Sequence, residues 1–206
     1  MRRTLPCLLA LVSTASLAGE PFDAPALSDD DKKALEKGDV VVRRLEPTGG
    51  KGVAVLAVGV VDAAPAEVWP VVRDCQHFKH FMPRTKHSEL KEEDGVKLCR
   101  VELSMPFPMK DLWSETKSTV KEAPPRFRRD WTLVHGTYLR NDGSWTLLPW
   151  ADGAKTLLVY SIDTQPDSLV PDGLARAAQS KSLPEVMTAV RKRVATLRTA
   201  ATTGSP

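Results

Sequence analysis

Apolar and polar residues form short alternating segments along most of this chain, with one long helical pattern near its end. Residues from Val53 to Val61 are β-branched and apolar on both faces, as is typical of a buried strand. Ala64 and Pro65 then open a short amphipathic helix, because proline fits a first turn whose amide lacks a partner. Pro83 prevents helix from continuing beyond the aromatic segment that follows. A buried strand is therefore predicted to lead directly into a helix.

The middle of the chain predicts strands joined by turns. Glu93-Asp94-Gly95 has the composition of a hairpin turn, because glycine adopts a positive φ without strain. Pro124-Pro125 and Asn141-Asp142-Gly143 separate later strands. The predicted strands cover residues 88–91, 97–105, 112–120, 127–134, 144–148 and 156–163. Short strands joined by turns favour an antiparallel sheet that curves around whatever it encloses.

The end of the chain predicts a long amphipathic helix. Ser182 and Glu185 have the spacing of a capping box, which places the start of this helix after a short separate helical piece at Pro171-Asp172. The apolar stripe of the long helix consists of Leu183, Met187, Val190, Val194 and Leu197. Such a stripe needs a surface to cover, and the sheet supplies one.

The first residues predict export. Arg2 and Arg3 precede an apolar stretch, and Ala18 offers a cleavage site, as in a secretory signal peptide spanning residues 1–18. The expected location is therefore periplasmic or secreted, with an uncleaved anchor as the alternative. The remaining organisation is a leader at 19–49 with a short helix capped by Ser28 and a strand, one domain at 50–198, and a disordered tail at 199–206.

Charge and cysteine content narrow the class of protein further. Cleavage removes Arg2 and Arg3 and lowers the net charge from +3 to +1, which argues against a nucleic-acid partner. Cys75 and Cys99 remain after cleavage. They form either a disulfide in an oxidising compartment or two separate buried thiols.

Five segments resemble one protein family in their order along the chain. They are VVDAAPAEVWPVVRDCQHFKHFMP (60–83), MPFPMKDLW (105–113), GSWTLLP (143–149), TLLVYSIDTQPDSLVP (156–171) and SLPEVMTAVRKRV (182–194). The chain thus resembles the START-like superfamily, which includes polyketide cyclases/dehydrases, coenzyme-Q-binding proteins and lipid-transfer domains. The resemblance implies an α+β helix-grip fold, in which a curved antiparallel β-sheet wraps around a long C-terminal α-helix. Asp111 and Asp167 depart from the family's pattern, so no ligand contact is carried over to those positions.

Strand parity and the helical stripe select residues that are expected to line an internal cavity. They are Val101, Leu103, Met105, Trp113, Arg129, Trp131, Trp145, Leu147, Tyr160, Met187, Val190 and Val194. Arg129 is the one charged member of its strand face, and a buried guanidinium needs a carboxylate or a ligand oxygen beside it. Glu115 is one candidate partner. Alternatively, a bulge or the strand end lets Arg129 reach solvent.

The sequence contains no motif that points to a catalytic centre or a cofactor. Asp74, His77 and His80 have a spacing that suits a metal only on a regular helix, so no metal, cofactor or catalytic residue is assigned. The expected function is binding of a lipid, isoprenoid or quinone by a monomer, with transient membrane contact through Leu169 and Val170 during transfer. A polyketide cyclase or dehydratase using Arg129, Glu115 or Tyr160 and an assembly module with a filled core remain alternatives.

Overall fold

One antiparallel sheet forms the framework of the molecule. The computed structural model describes residues 22, 24–167 and 172–203 of the 206, and for 172–181 and 203 it describes the backbone alone. In this part of the chain the strands are β1 (Val41–Leu45), β2 (Val53–Val61), β3 (Thr85–Glu93), β4 (Val96–Leu103), β5 (Leu112–Ala123), β6 (Arg126–Gly136), β7 (Tyr138–Trp150) and β8 (Lys155–Pro166). The helices are α1 (Asp29–Glu36), α2 (Pro65–Arg73) and α3 (Asp172–Thr203), with 3-10 helices at Thr48–Gly50 and Cys75–His80. The strand order is β1-β2-β8-β7-β6-β5-β4-β3.

Helices α2 and α3 pack against the inner, concave face of the sheet. Val68 and Val72 of α2 and Met187 and Val190 of α3 are buried together with Leu158 of β8. Removal of these apolar side chains from water is the main source of stability for this arrangement. The curved antiparallel sheet closed by the C-terminal helix confirms the predicted α+β helix-grip fold.

Helix α1 covers part of the outer face. Its Leu35 is buried against Val58 and Leu157, which point away from α2 and α3. The predicted cap is confirmed, because the Ser28 hydroxyl accepts a hydrogen bond from the Asp31 amide and the Asp31 carboxylate accepts one from the Ser28 amide. β1 follows α1 and pairs with β2, so the leader contributes an edge strand to the sheet.

Strand β7 is longer than the sequence predicts. The predicted turn at Asn141-Asp142-Gly143 is wrong, since these residues lie within β7 and the chain reverses at Gly136 and Thr137. The polar side chains make hydrogen bonds across the sheet instead of within a turn. Asp142 Oδ1 accepts a hydrogen bond from the Leu133 amide at 3.1 Å.

Helix α3 is continuous. The predicted break before Ser182 is wrong, because the helical backbone runs from Asp172 through Pro184 to Thr203. Burial of Leu183 and Met187 on either side of Pro184 outweighs the hydrogen bond that the proline removes. The helix also includes residues 199–203 of the expected tail. In the described ranges, no helix is both long enough and apolar enough to cross a membrane.

A disulfide joins Cys75 and Cys99, with 6.2 Å between their Cα atoms. This decides between the two alternatives that the sequence left open. The bond ties the 3-10 helix at Cys75–His80 to β4, and Phe81 and Met82 then pack against the inner core. The segment after α2 is therefore held over the inner face of the sheet.

Candidate functional site

A row of three side chains crosses the inner face of the sheet. Pairing of β6, β7 and β8 places Arg129 opposite Trp145 and Trp145 opposite Tyr160. Directly paired residues of antiparallel strands point to the same side, so these side chains lie next to one another. The row divides the inner face into two parts with different packing.

One part, which we call the sealed end, is filled by the protein itself. The predicted cavity residues found there or at its border are Trp145, Leu147, Met187, Val190 and Val194, all of them buried. Leu147 and Val190 have no exposed surface, and Met187 keeps 1%. These side chains form one buried core cluster with residues of α2, and their contact with a ligand stays a prediction.

The other part keeps apolar surface in contact with water. Its half-buried inner-face residues, which we call the open surface, are Val101, Leu103, Trp131, Tyr160 and Ile162. Met105 is also half-buried and lies beyond the end of β4. When a ligand covers this apolar surface, its removal from water stabilises the complex. The open surface is therefore the part of the inner face suited to binding.

Trp113 lies on the outer face, contrary to the sequence prediction. It is opposite Glu102, and the Arg100 guanidinium lies 4.2 Å from the centre of its ring. Glu115 shares that face and accepts hydrogen bonds from Lys91 at 3.1 Å and Arg100 at 3.0 Å. Strand β5 contains both residues and pairs with β4 in a register that places their side chains on the face away from α3. Trp113 is thus excluded from the inner surface.

Arg129 is buried on the inner face, with 5% of its surface exposed. Its Nη1 donates a hydrogen bond to the Val72 carbonyl at 3.1 Å, and its Nε donates one to the Ser118 hydroxyl at 3.1 Å. The guanidinium also lies 5.8 Å from the centre of the Phe78 ring. The predicted partnership with Glu115 is wrong, and so is the alternative that Arg129 reaches solvent, because α2 and Phe78 cover it.

Burial dominates the ionisation of Arg129. It lowers the pKa of the guanidinium from 12.5 to about 10, although the negative charge of Asp74 acts in the opposite direction. Arg129 therefore stays protonated at neutral pH. The Asp74 carboxylate contacts Nδ1 of His77, and within the described ranges no carboxylate forms an ion pair with Arg129.

Tyr160 lies between two tryptophans at the edge of the open surface. Its ring stacks on Trp145 with 4.1 Å between centres, and Trp131 lies 5.9 Å away on a nearly parallel plane. Burial raises the pKa of the Tyr160 phenol well above its ordinary value, and burial raises the pKa of Tyr138 to about 12. Both phenols are therefore neutral hydrogen-bonding groups at neutral pH.

A cluster of potential metal ligands lies outside this surface. Glu93, Glu115 and His135 each bring one ligand atom within 4.8 Å of the others. The Glu115 carboxylate already binds Lys91 and Arg100, whose positive charges oppose a cation. The cluster depends on pairing between β5 and β6, so sequence spacing does not reveal it.

Sequence reasoning missed Ser118, Gly143 and the Val72 carbonyl as parts of the site. Ser118 contacts Arg129 from β5, and Gly143 lies opposite Trp131. The alternation of side chains along β5 shows that Ser118 faces inward only once the pairing of β5 with β6 is known. The Val72 carbonyl has no side-chain signal, because any residue at that position supplies the same oxygen.

The curved antiparallel sheet closed by α3 is a helix-grip fold. Residues 61–191 match the model of the family described as polyketide cyclase / dehydrase and lipid transport, and the chain belongs to this family. No curated protein matches the chain in sequence.

Solved structures share the fold at low sequence identity. A STAR-related lipid transfer protein from Xanthomonas axonopodis is 21% identical, with a TM-score of 0.64, and the match covers 75% of this chain and 93% of that one. Human StAR-related lipid transfer protein 5 is 16% identical, with a TM-score of 0.65 and coverage of 78% and 84%. A START superfamily protein from Mycobacterium smegmatis is 17% identical, with a TM-score of 0.57 and coverage of 71% and 99%.

Proposed function

We propose that this protein binds a hydrophobic molecule against the open surface. The observation that carries the proposal is the half-buried aromatic and aliphatic surface formed by Trp131, Tyr160 and Ile162 beside a fully packed core. The family description includes lipid transport, and similar structures carry lipid-transfer names. A lipid, an isoprenoid or a quinone has the apolar area that such a surface requires.

The gain from covering this surface is large enough for specific binding. Removing about 400 Å² of apolar ligand surface from water contributes on the order of 10 kcal/mol before the costs of association. Stacked aromatic rings add preferred contacts for flat or unsaturated chains. The alternative of a cyclase or dehydratase receives no separate support, because Glu115 lies on the face opposite Arg129 and Tyr160.

The finer proposal is that the protein is exported and carries its ligand between membranes. The signal peptide at 1–18 and the expected contact residues Leu169 and Val170 lie outside the described residues. Lys192 and Arg193 line an open groove of about 640 Å³ between α3 and Phe81, where they suit anionic headgroups. Arg191, by contrast, donates hydrogen bonds to the Val60 and Gly38 carbonyls and is held against the protein.

Native mass spectrometry tests the binding proposal directly. Protein purified without detergent is expected to carry a co-purified apolar molecule, which solvent extraction then identifies. Val101→Trp fills part of the open surface and is expected to reduce the bound fraction at least several-fold. Thr119→Trp, at an exposed position on β5, is the matched control. Wild-type protein that binds no lipid, isoprenoid or quinone, either as purified or after incubation with each, contradicts the proposal.

The export proposal has its own test. Amino-terminal sequencing of protein recovered from a host with an intact secretion system is expected to start at Gly19. A recovered chain that still begins at Met1 contradicts export by this signal. Liposome co-sedimentation of wild type and a Lys192→Ala/Arg193→Ala double variant tests membrane contact, and unchanged sedimentation rejects the role of the groove.

A further inference from the structure

Arg129 places a buried positive charge on the inner face of the sheet. A guanidinium taken out of water is costly unless hydrogen bonds and an opposite charge compensate it. Arg129 has two neutral acceptors, the Val72 carbonyl and the Ser118 hydroxyl, which occupy Nη1 and Nε. Within the described part of the chain, the hydrogen bonds of Arg129 are those made by Nε and Nη1, Nη2 makes none, and no carboxylate is in ion-pair contact with the guanidinium. Nη2 is thus left to donate to another molecule, and the positive charge is offset only by the longer-range effect of Asp74.

Tyr160 supplies a second donor in the same row. Trp145 lies between Arg129 and Tyr160 in the strand pairing, and the Tyr160 ring stacks on Trp145. The positive charge of Arg129 lowers the pKa of the Tyr160 phenol, opposing the larger effect of burial. Among the described residues, the Tyr160 hydroxyl makes no hydrogen bond. A neutral phenol and a guanidinium in one row of the same face both suit an acceptor with negative charge.

The packing on the two sides of Arg129 and Tyr160 determines how a bound ligand is oriented. The sealed end behind the row is filled by Leu147 and Leu158, which have no exposed surface. Trp131 and Ile162 lie on the open side of the row and keep exposed apolar surface. A ligand with one charged end therefore places that end against the row and its apolar part along the open surface.

We infer that the ligand carries an acidic head group, a carboxylate or a phosphate, bound by Arg129 Nη2 and the Tyr160 hydroxyl, with its apolar chain across Trp131 and Ile162. The inference rests on the proposed function and specifies the ligand class for the same surface. Covering the guanidinium with an anion removes the cost of an unpaired buried charge, which a neutral ester or alcohol leaves in place. Head-group charge then decides which of several equally apolar molecules is retained.

Matched ligands of equal chain length test this inference. The probes are hexadecanoate, its methyl ester, hexadecanol and hexadecyl phosphate, titrated into delipidated wild-type protein while tryptophan fluorescence is followed. We expect at least one acidic probe to bind about tenfold or more tightly than the ester and the alcohol. Comparison of hexadecanoate with hexadecyl phosphate distinguishes a carboxylate site from a phosphate site.

Two variants connect the preference to the named residues. Tyr160→Phe keeps the ring stacked on Trp145 and is expected to weaken binding of the preferred acid about five- to tenfold, with the ester unchanged. Arg129→Lys keeps a charge but loses the planar donor set, and it is expected to reduce the preference further. Arg128→Lys is the matched control, because Arg128 lies on the outer face of the same strand and binds Asp130.

The outcomes separate the inference from the proposed function. Equal binding of acid, ester and alcohol by wild type overturns the inference and leaves apolar binding intact. Absence of binding for all four probes overturns the inference, and it contradicts the proposed function as well if isoprenoids and quinones also fail to bind. A preference for acids that survives in Tyr160→Phe and in folded Arg129→Lys, verified by circular dichroism, also overturns the assignment to this pair.

Discussion

Gly143 on β7 lies directly opposite Trp131 on β6, and the Trp131 indole occupies the space where a side chain at Gly143 would begin. The Ser161 carbonyl closes the same space from β8. The absence of a Cβ at Gly143 thus allows the indole to lie flat against the sheet at the edge of the open surface. Gly143 has the composition of a turn in the sequence, but in the structure it is a strand residue on which the Trp131 ring packs.

Gly143→Ala is therefore expected to displace the Trp131 ring. Overpacking against both a ring and a backbone carbonyl costs about 1 to 3 kcal/mol of unfolding free energy. Urea unfolding measures the loss, and a shift in tryptophan emission reports the movement of the ring. Thr119→Ala, at an exposed strand position, serves as the control. Unchanged stability and emission in Gly143→Ala contradict the packing described here.

Reduction of the Cys75–Cys99 disulfide is expected to destabilise the protein. The bond closes a loop with a sequence separation of 24 residues, so its loss costs about 2 to 4 kcal/mol through the greater freedom of the unfolded chain. Thermal unfolding of wild type with and without reductant measures the effect. A Cys75→Ser/Cys99→Ser variant should unfold at the lower temperature in both conditions. A wild-type protein that is unaffected by complete reduction contradicts this prediction.

Glu115 is expected to make stability depend on pH in the acid range. Burial by itself would raise the pKa of Glu115, but hydrogen bonds and positive charges from Arg100 and Lys91 hold it below the ordinary value of 4.5. A lowered native pKa stabilises the fold above pH 4.5, and that contribution is lost as the pH falls through the native pKa. Glu115→Gln removes it.

The measurement is urea unfolding of wild type and Glu115→Gln across the acid range. At pH 7 the variant is expected to lose on the order of 1 to 3 kcal/mol, because the acceptor of two hydrogen bonds from Lys91 and Arg100 loses its negative charge. The difference between the two proteins should shrink as Glu115 becomes protonated in wild type. A difference that stays constant down to the lowest pH at which both fold contradicts the role of the ionised carboxylate.

The two parts of the inner face are expected to respond differently to truncation. Met187→Ala leaves a cavity in the sealed end and should cost about 2 to 5 kcal/mol of stability. Leu103→Ala changes a half-buried side chain of the open surface, so it should cost less stability and weaken binding of an apolar probe more. Chemical denaturation and fluorescent-probe titration of both variants provide the comparison. Equal stability losses with equal binding losses contradict the division into two parts.

The local pattern of apolar and polar residues predicted much of the fold, because strands, turns and helix caps depend mainly on residues close together in sequence. The strand from Val53 to Val61 has the predicted bounds, and the cap at Ser28 forms as expected. Failures occurred where a local signal competed with packing. Asn141-Asp142-Gly143 has turn composition, but its side chains bond across the sheet, and the capping-box spacing at Ser182 lies inside a helix stabilised by burial around it.

The sequence by itself determined the class of fold, since apolar periodicity and turn residues specify a chain of antiparallel strands followed by a covering helix. Only the tertiary structure decided which part of the inner face is filled and where the Arg129 charge lies. Arg129 binds a carbonyl 57 residues away, and Glu115 lies on the opposite face because of how β5 pairs with β4. Such relationships depend on strand register and the approach of distant backbone, which no local pattern encodes.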